Sequence, residues 1–140
     1  MNSLQTSLIA FIRAFGLHHP ERTPCGQSVS VAEAHALMEL IQAVSLSQGE
    51  LSQRLDLEKS TVSRLVSSLS RREWIKRDRN PADRRIVEIQ LTGKGKQVAN
   101  TLSAARQAKF DEVLSAIPEG RQDDVIDALN VLVEAIRESQ

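Results

Sequence analysis

The chain has 140 residues, which suits one domain or one domain with appended helices. Apolar residues make up 41% of it and charged residues 26%, as expected of a soluble globular protein, and no stretch approaches the roughly 20 apolar residues of a membrane span. The single cysteine, Cys25, excludes an internal disulfide framework and indicates a reducing, cytoplasmic environment.

The formal net charge of zero conceals a strong asymmetry along the chain. Residues 59–96 contain eleven lysines and arginines but four acidic residues, whereas the rest of the chain has seven basic and fourteen acidic residues. A basic middle between acidic flanks predicts a local surface that binds a polyanion. The alternative is a solvated helix face followed by a charged loop.

The N-terminal region predicts an amphipathic helix and not a signal peptide. Apolar side chains recur at helical spacing between residues 4 and 15, and a short helix with so much apolar surface needs a partner. Residues 16–30 contain two prolines and two glycines and predict a long loop. A second helix follows from about Val31 to Ala43, with Ser30 as its N-cap and Glu33 completing a capping box.

Two short helices separated by a brief turn come next, in "LSQGELSQRLDLEKSTVSRLVSSLSRREWI". Ser47 and Glu50 predict a capping box for a helix through about Leu55, and the following helix runs from about Lys59 to Arg72. Two helices joined by three or four residues are typical of the helix-turn-helix motif.

The second helix of this motif has an apolar face, formed by Val62, Leu65, Val66 and Leu69, and an opposite face of hydroxyls and arginines. Hydroxyl side chains let a helix lie close to DNA, and arginine can reach guanine O6 and N7. The alternative is a surface helix that is merely rich in serine, although serine is a mediocre helix former. The DNA-contact candidates on this helix are Lys59, Ser60, Thr61, Ser63, Arg64, Ser67 and Arg71.

A β-hairpin is predicted directly after this helix. "WIKRDR" is extended, "NPAD" has the residue types of a turn, and "RRIVEIQLT" alternates apolar and polar residues. Such a hairpin is a wing, whose arginines suit a narrow A·T-rich minor groove. A carboxylate beside a flexible arginine can fix its direction through a bidentate pair. The candidates in the wing are Arg77, Arg79, Asp83, Arg84 and Arg85.

Two helices are predicted for the rest of the chain, from Thr92 as N-cap to about Ile117 and from about Gln122 to Glu138, with a break at Pro118 and Gly120. Together with the first helix they carry more apolar surface than a small winged domain can cover. Uncovered apolar faces must be buried, which favours a second copy of the chain. The alternative is a monomer whose tail folds back on itself.

Residues 46–95 resemble the MarR family of bacterial winged-helix regulators. The most specific similarity is Asp83-Arg84-Arg85 followed by "IVEIQLT", which resembles the family's D-x-R wing signature ending in Leu-Thr. The resemblance implies that Arg85 enters the minor groove and that Asp83 orients it. It also implies that Ser60, Thr61, Ser63 and Arg64 contact the major groove. Trp74 departs from the pattern, because the family usually has glycine there.

The expected fold is mainly α with a small β-hairpin wing, divided into an N-terminal dimerisation helix and loop (1–30), a winged helix-turn-helix domain (31–92) and C-terminal dimerisation helices (93–140). The resemblance implies a homodimer that binds double-stranded DNA, usually as a repressor that a small ligand or an oxidant releases. A dimer would read half-sites about one helical turn apart. The alternative function is a winged-helix module for protein–protein interaction without specific DNA binding. No enzymatic activity, cofactor or membrane association is expected.

The residues that could sense an effector lie mainly in the predicted loop. Three interpretations of Cys25, His18, His19 and His35 stay open. Cys25 could be a thiol sensor, since thiolates near cationic groups such as Arg22 are reactive. The cysteine and histidines could instead bind zinc or copper, although their spacing matches no metal motif. They could also be structural, with Cys25 as a small buried apolar residue.

Overall fold

The computed structural model describes residues 2–24 and 26–140. The elements in chain order are α1 (Ser3–Phe15), α2 (Val31–Gln42), β1 (Leu46–Ser47), α3 (Gln48–Leu55), α4 (Lys59–Arg71), β2 (Ile75–Arg79), β3 (Val87–Leu91), α5 (Gly93–Ala116), a short 3₁₀ turn (Glu119–Arg121) and α6 (Gln122–Glu138). The predicted mainly α fold with a hairpin wing is confirmed. Among the described residues, no helix combines the length and apolar character that a membrane span requires.

Both predicted capping boxes are present, and they determine where α2 and α3 begin. The Ser30 hydroxyl accepts a hydrogen bond from the Glu33 backbone N–H at 3.0 Å, and the Glu33 carboxylate accepts one from the Ser30 backbone N–H at 3.1 Å. Ser47 and Glu50 repeat this arrangement at the start of α3. Each box satisfies two backbone N–H groups that the first turn of a helix leaves without intrahelical acceptors.

The sheet has one strand more than the sequence predicts. β1 pairs antiparallel with β3, placing Leu46 opposite Ile89, and β3 pairs antiparallel with β2, placing Leu91 opposite Ile75. The strand order is therefore β1-β3-β2. The alternation of side chains gave no signal for β1, because this strand is only two residues long.

The winged region, from Val29 to Leu102, has a core formed by apolar side chains of α2, α3, α4, α5 and the sheet. The apolar face predicted for α4 is buried throughout, and Val62, Val66 and Leu69 are fully inaccessible to solvent. Leu37 of α2, Leu51 of α3 and Ile89 of β3 are equally inaccessible and belong to the same cluster. Burial of this face fixes which side of α4 is exposed.

Helix α4 is terminated by a residue in the left-handed conformation, which directly precedes Trp74. The residue in the left-handed conformation is Glu73, with φ of 62°, and its N–H donates to the Ser70 carbonyl while the Trp74 N–H donates to the Leu69 carbonyl. These two bonds form a Schellman motif. Trp74 is the buried residue that follows, and Gly95 lies so close that an added Cβ would be 1.9 Å from the Trp74 carbonyl oxygen.

The chain divides into two compact units, of which one ends at Ala105 and the other comprises Arg106–Gln140. Within the second unit, the break predicted at Pro118 is present, and the Gln122 side-chain amide donates to the Leu114 carbonyl at 3.0 Å. No residue of this unit is buried. Its exposed apolar side chains include Phe110, Val113, Leu114, Ile126, Leu129, Val131, Val133 and Ile136.

Candidate nucleic-acid interface

Helix α4 exposes the polar face that the sequence predicts. Thr61 is half-buried at the margin of this face. The other candidate side chains on the helix are all exposed, namely Lys59, Ser60, Ser63, Arg64, Ser67 and Arg71. Small hydroxyls flanked by longer cationic side chains allow a close approach to a polyanion, with arginines reaching outward.

The turn between α3 and α4 fixes the start of this exposed helix. Asp56 takes the left-handed conformation with φ of 54°, a conformation that aspartate tolerates better than most residues. The Leu57 N–H donates to the Ser52 carbonyl, and the Ser52 hydroxyl donates to the Leu57 carbonyl. The predicted helix-turn-helix is therefore closed by hydrogen bonds in both directions between α3 and the turn.

The wing brings the second set of candidates together in β2, β3 and the turn between them. Arg77 and Arg79 are exposed on β2, and Arg84 and Arg85 are exposed in the turn. The Arg79 guanidinium donates to the Arg84 carbonyl at 2.8 Å, so Arg79 also supports the turn. The charged surface of this hairpin belongs to the same compact unit as α4.

Asp83 and Arg85 form the bidentate pair that the sequence predicts. Arg85 donates from Nε to Asp83 Oδ1 and from Nη2 to Asp83 Oδ2, both at 3.0 Å, and its backbone N–H donates to Oδ1 at 3.1 Å. The side-chain hydrogen bond of Arg85, followed by its backbone N–H, lowers the pKa of Asp83 below the ordinary 3.8. The Arg85 side chain is 90% exposed, so the pair directs the arginine without burying it.

Asn80 and Glu88 are part of this site, although neither was among the candidates predicted from the sequence. The Asn80 side-chain oxygen accepts from the N–H groups of Ala82 and Asp83, and its nitrogen donates to Glu88. The residue types of "NPAD" predicted a turn, and the two bonds to backbone N–H groups are those that asparagine often makes in turns. No local pattern indicated the bond to Glu88, which lies eight residues further on.

One cation of the basic segment, Arg72, is paired with a carboxylate of α2, although its side chain is 40% exposed. Arg72 donates through Nε to the buried Glu33 carboxylate at 3.1 Å, and its guanidinium carbon lies 4.6 Å from the centre of the Trp74 ring. The Ser68 hydroxyl donates to the same carboxylate at 3.3 Å. Arg72 therefore ties the end of α4 to α2, and the charge available to a ligand is smaller than the count of arginines suggests.

The structure places the three histidines among the sensor candidates at the protein surface. His18 and His19 are exposed and adjacent, with ring centres 4.4 Å apart, and His35 is exposed on α2. Cys25 lies outside the described residues. Within residues 2–24 and 26–140, no three histidines, aspartates or glutamates are grouped so that they could hold a metal ion.

Two cavities lie near the loop that precedes α2. One of about 240 Å³ is lined by Phe15, His19 and Arg22 among others. The other, of about 320 Å³, is lined by Val29, Arg72 and Trp74 together with one side of α5. The second cavity reaches the C-terminal end of α4, and both cavities combine apolar and polar side chains, as sites for small molecules usually do.

The class of protein follows from this geometry. An exposed helix of hydroxyls and arginines, followed by a hairpin with arginines at its tip, defines a winged helix-turn-helix protein. Residues 27–86 match the model of the MarR family. The predicted resemblance to the MarR family is confirmed for these residues.

Its relatives are named as transcriptional regulators. The chain is 28% identical over 112 residues to the regulator PapX of Escherichia coli, an alignment that covers 80% of this chain and 62% of PapX. It is 29% identical over 93 residues to the repressor MdtR of Bacillus subtilis, covering 66% of this chain and 60% of MdtR. The chain therefore matches about three fifths of the length of these two relatives.

Two solved structures confirm the fold. The transcriptional regulator PcaV from Streptomyces coelicolor superposes with a TM-score of 0.80 at 20% identity, covering 99% of both chains. MepR from S. aureus, solved in a complex with DNA, superposes with a TM-score of 0.79 at 19% identity, covering 94% of this chain and 97% of that one. At such identities the likeness shows the shared fold.

Proposed function

We propose that the protein is a sequence-specific DNA-binding transcriptional regulator, and that it acts as a repressor in the cytoplasm. The observation that carries this proposal is the Asp83–Arg85 pair at the tip of the wing, beside a recognition helix whose hydroxyls and arginines are exposed. The relatives named as regulators and repressors support it. No enzymatic activity and no cofactor are part of the proposal.

The recognition helix α4 enters the major groove in this proposal. Ser60, Thr61 and Ser63 approach phosphates and base edges, and Arg64 and Arg71 reach guanine edges or phosphates. The wing lies beside it and places Arg85 in the adjacent minor groove, where narrow A·T-rich sequences concentrate negative potential. The phosphate backbone of the DNA is contacted by the remaining candidates, namely Lys59, Ser67, Arg77, Arg79 and Arg84.

A homodimer is the proposed assembly. Helix α1 exposes Leu4 and Phe11, and residues 106–140 expose an apolar row along α6. Apolar side chains that recur along one face of a helix suit burial against a second copy. A two-fold dimer binds a pseudo-palindrome with half-sites about one helical turn apart.

A small ligand or an oxidant is the proposed signal for release from DNA. The cavity beside Trp74 supports the first, since its lining residue Arg72 lies at the end of the recognition helix. Trp74 is the one tryptophan of the chain, which contains no tyrosine, so the intrinsic fluorescence reports on the surroundings of Trp74, including this cavity. Oxidation of Cys25 is the alternative signal.

The main experiment is selection of bound sequences from random duplex DNA with the purified protein, first in a reducing buffer and then with peroxide. An enriched pseudo-palindrome is expected in the reducing buffer. If this enrichment is lost with peroxide and restored by a reductant, and the Cys25→Ser variant does not respond, Cys25 is the sensor. If no sequence is enriched under either condition, the function shifts to the alternative, a winged-helix module that binds proteins.

A further inference from the structure

Asn80 makes three hydrogen bonds within the turn of the wing, two through its side chain and one through its backbone N–H. Its side-chain oxygen accepts from the Ala82 N–H at 2.8 Å and from the Asp83 N–H at 3.2 Å. Its backbone N–H donates to the Ile86 carbonyl at 2.8 Å, which closes the turn. Asn80 therefore holds both ends of the segment that carries Asp83 and Arg85.

The side-chain nitrogen of Asn80 connects this turn to the rest of the winged unit. It donates to Glu88 Oε1 at 2.9 Å, and Glu88 Oε2 accepts from the Ser45 hydroxyl at 3.3 Å. Ser45 immediately precedes β1, which pairs with β3. Both oxygens of the Glu88 carboxylate are thus engaged, and a chain of side-chain bonds runs from the wing tip to the segment before α3.

We propose that Asn80 is a positioning residue that, through Glu88, fixes the wing turn in the arrangement in which Arg85 meets DNA. This inference rests on the proposed DNA-binding function. An exposed turn ordered before binding does not lose its backbone entropy on binding, and such preorganisation strengthens association. Asn80 itself need not touch DNA.

A reversal of the hydrogen bond tests this role. Asn80→Asp keeps the oxygen that accepts from Ala82 and Asp83 but sets a second carboxylate against Glu88. Adding Glu88→Gln restores the contact with opposite polarity, because the introduced amide would donate to the new carboxylate and still accept from Ser45. The double variant N80D/E88Q also has the native net charge.

The matched control restores the charge without the hydrogen bond. Asp78 lies directly opposite Glu88 in the hairpin and is exposed. The double variant D78N/N80D therefore has the native net charge. It removes the carboxylate of Asp78, which lies across the hairpin from Glu88. It leaves the new carboxylate at position 80 facing Glu88.

The probes are a labelled duplex carrying the pseudo-palindrome selected by the native protein and an unrelated A·T-rich duplex. N80D is expected to bind the selected duplex about tenfold more weakly than the native protein. N80D/E88Q is expected within about threefold of the native affinity, whereas D78N/N80D stays as weak as N80D. Equal recovery in both double variants, or no loss in N80D, would overturn the role of the hydrogen bond.

A second measurement needs no DNA and separates this inference from the proposed function. Backbone ¹⁵N order parameters of residues 82–85 in the free protein are expected to fall in Asn80→Ala and to be native in N80D/E88Q. Order parameters unchanged in Asn80→Ala would overturn the inference even if the native protein binds DNA. If the native protein selects no DNA sequence, the proposed function fails, and a loss of order in Asn80→Ala still shows that Asn80 fixes the turn.

Discussion

The winged region and residues 106–140 use apolar side chains in opposite ways. In the winged region the apolar faces of α3, α4 and β3 meet, and residues such as Leu51, Val62 and Ile89 are fully buried. In residues 106–140 no residue is buried, and Ile126 and Leu129 are nearly half exposed. Charge follows the same division, since residues 59–96 hold eleven basic and four acidic residues and residues 106–140 hold four basic and eight acidic ones.

The differences in burial and charge indicate which kind of partner each region fits. A segment that buries its apolar side chains within itself presents polar and cationic groups to the outside, which suits a polyanion. A segment with an exposed apolar row and an acidic remainder is poorly suited to DNA and well suited to a second protein surface. Four predictions test this division, from the largest expected effect to the smallest.

Leu129→Asp tests the partner of residues 106–140. Ile126, Leu129, Val133 and Ile136 recur along one face of α6 at helical spacing. A carboxylate placed in the middle of a dimer interface loses hydration, and two-fold symmetry repeats the cost, so we expect a loss of several kcal/mol and dissociation to monomers. Sedimentation equilibrium measures the mass, and Asn130→Asp adds the same charge to the same exposed helix as a control. If the mass of Leu129→Asp equals that of a native dimer, α6 lies outside the interface.

Gly95→Ala tests whether the winged region is packed as tightly as its buried residues suggest. The added Cβ would collide with the Trp74 carbonyl, whereas a Cβ at Gly93 meets nothing within 4 Å. We expect Gly95→Ala to lower the free energy of unfolding by about 3 kcal/mol. Gly93→Ala should change it little or raise it by up to about 1 kcal/mol. Denaturant unfolding measures both, and equal stabilities would mean that this edge of the core is loose.

The fold could be predicted largely from local pattern, because the residues that begin and end the helices are neighbours in sequence. Ser30 with Glu33 and Ser47 with Glu50 act across three positions. β1 could not be predicted, since a two-residue strand is recognised by its pairing with β3. The left-handed conformation of Glu73 could not be predicted either, because glutamate rarely adopts it.

Arg85→Ala tests the partner of the winged region. An arginine in a narrow minor groove interacts strongly with the negative potential there, so we expect DNA affinity to fall by about tenfold or more with the fold intact. Fluorescence anisotropy with the selected duplex measures the loss, and circular dichroism checks the fold. Arg121→Ala removes the same charge from the acidic region and should change affinity less than about twofold. Unchanged binding by Arg85→Ala would remove the wing from the interface.

The candidate site could be predicted in part, for the same physical reason as the fold. Asp83 and Arg85 are two positions apart, so their pairing was visible in the sequence. The link from Asn80 through Glu88 to Ser45 was not, because Ser45 and Glu88 are 43 residues apart and meet only when β1 joins the sheet. Arg72 counts among the cations of the basic segment, and only the fold shows it bound to Glu33.

The smallest expected effect is that of pH on the Asp83–Arg85 pair of the wing. Arg85 lowers the pKa of Asp83 below 3.8, so the folded carboxylate holds its charge more strongly than an unfolded one. The contribution of the pair to stability is therefore fully present above pH 3.8 and is lost as the pH falls through the lowered pKa. Because the pair lies at the surface, water screens it and the stability of the whole fold should hardly change.

The carboxyl ¹³C shift of Asp83 in the free protein measures this pKa directly. In Arg85→Ala the midpoint of the titration should return toward 3.8, because the hydrogen bond of the arginine is the largest cause of the shift. If Asp83 has the same midpoint with and without Arg85, the two side chains are not paired in solution. The direction of Arg85 would then be set by DNA and not by the wing.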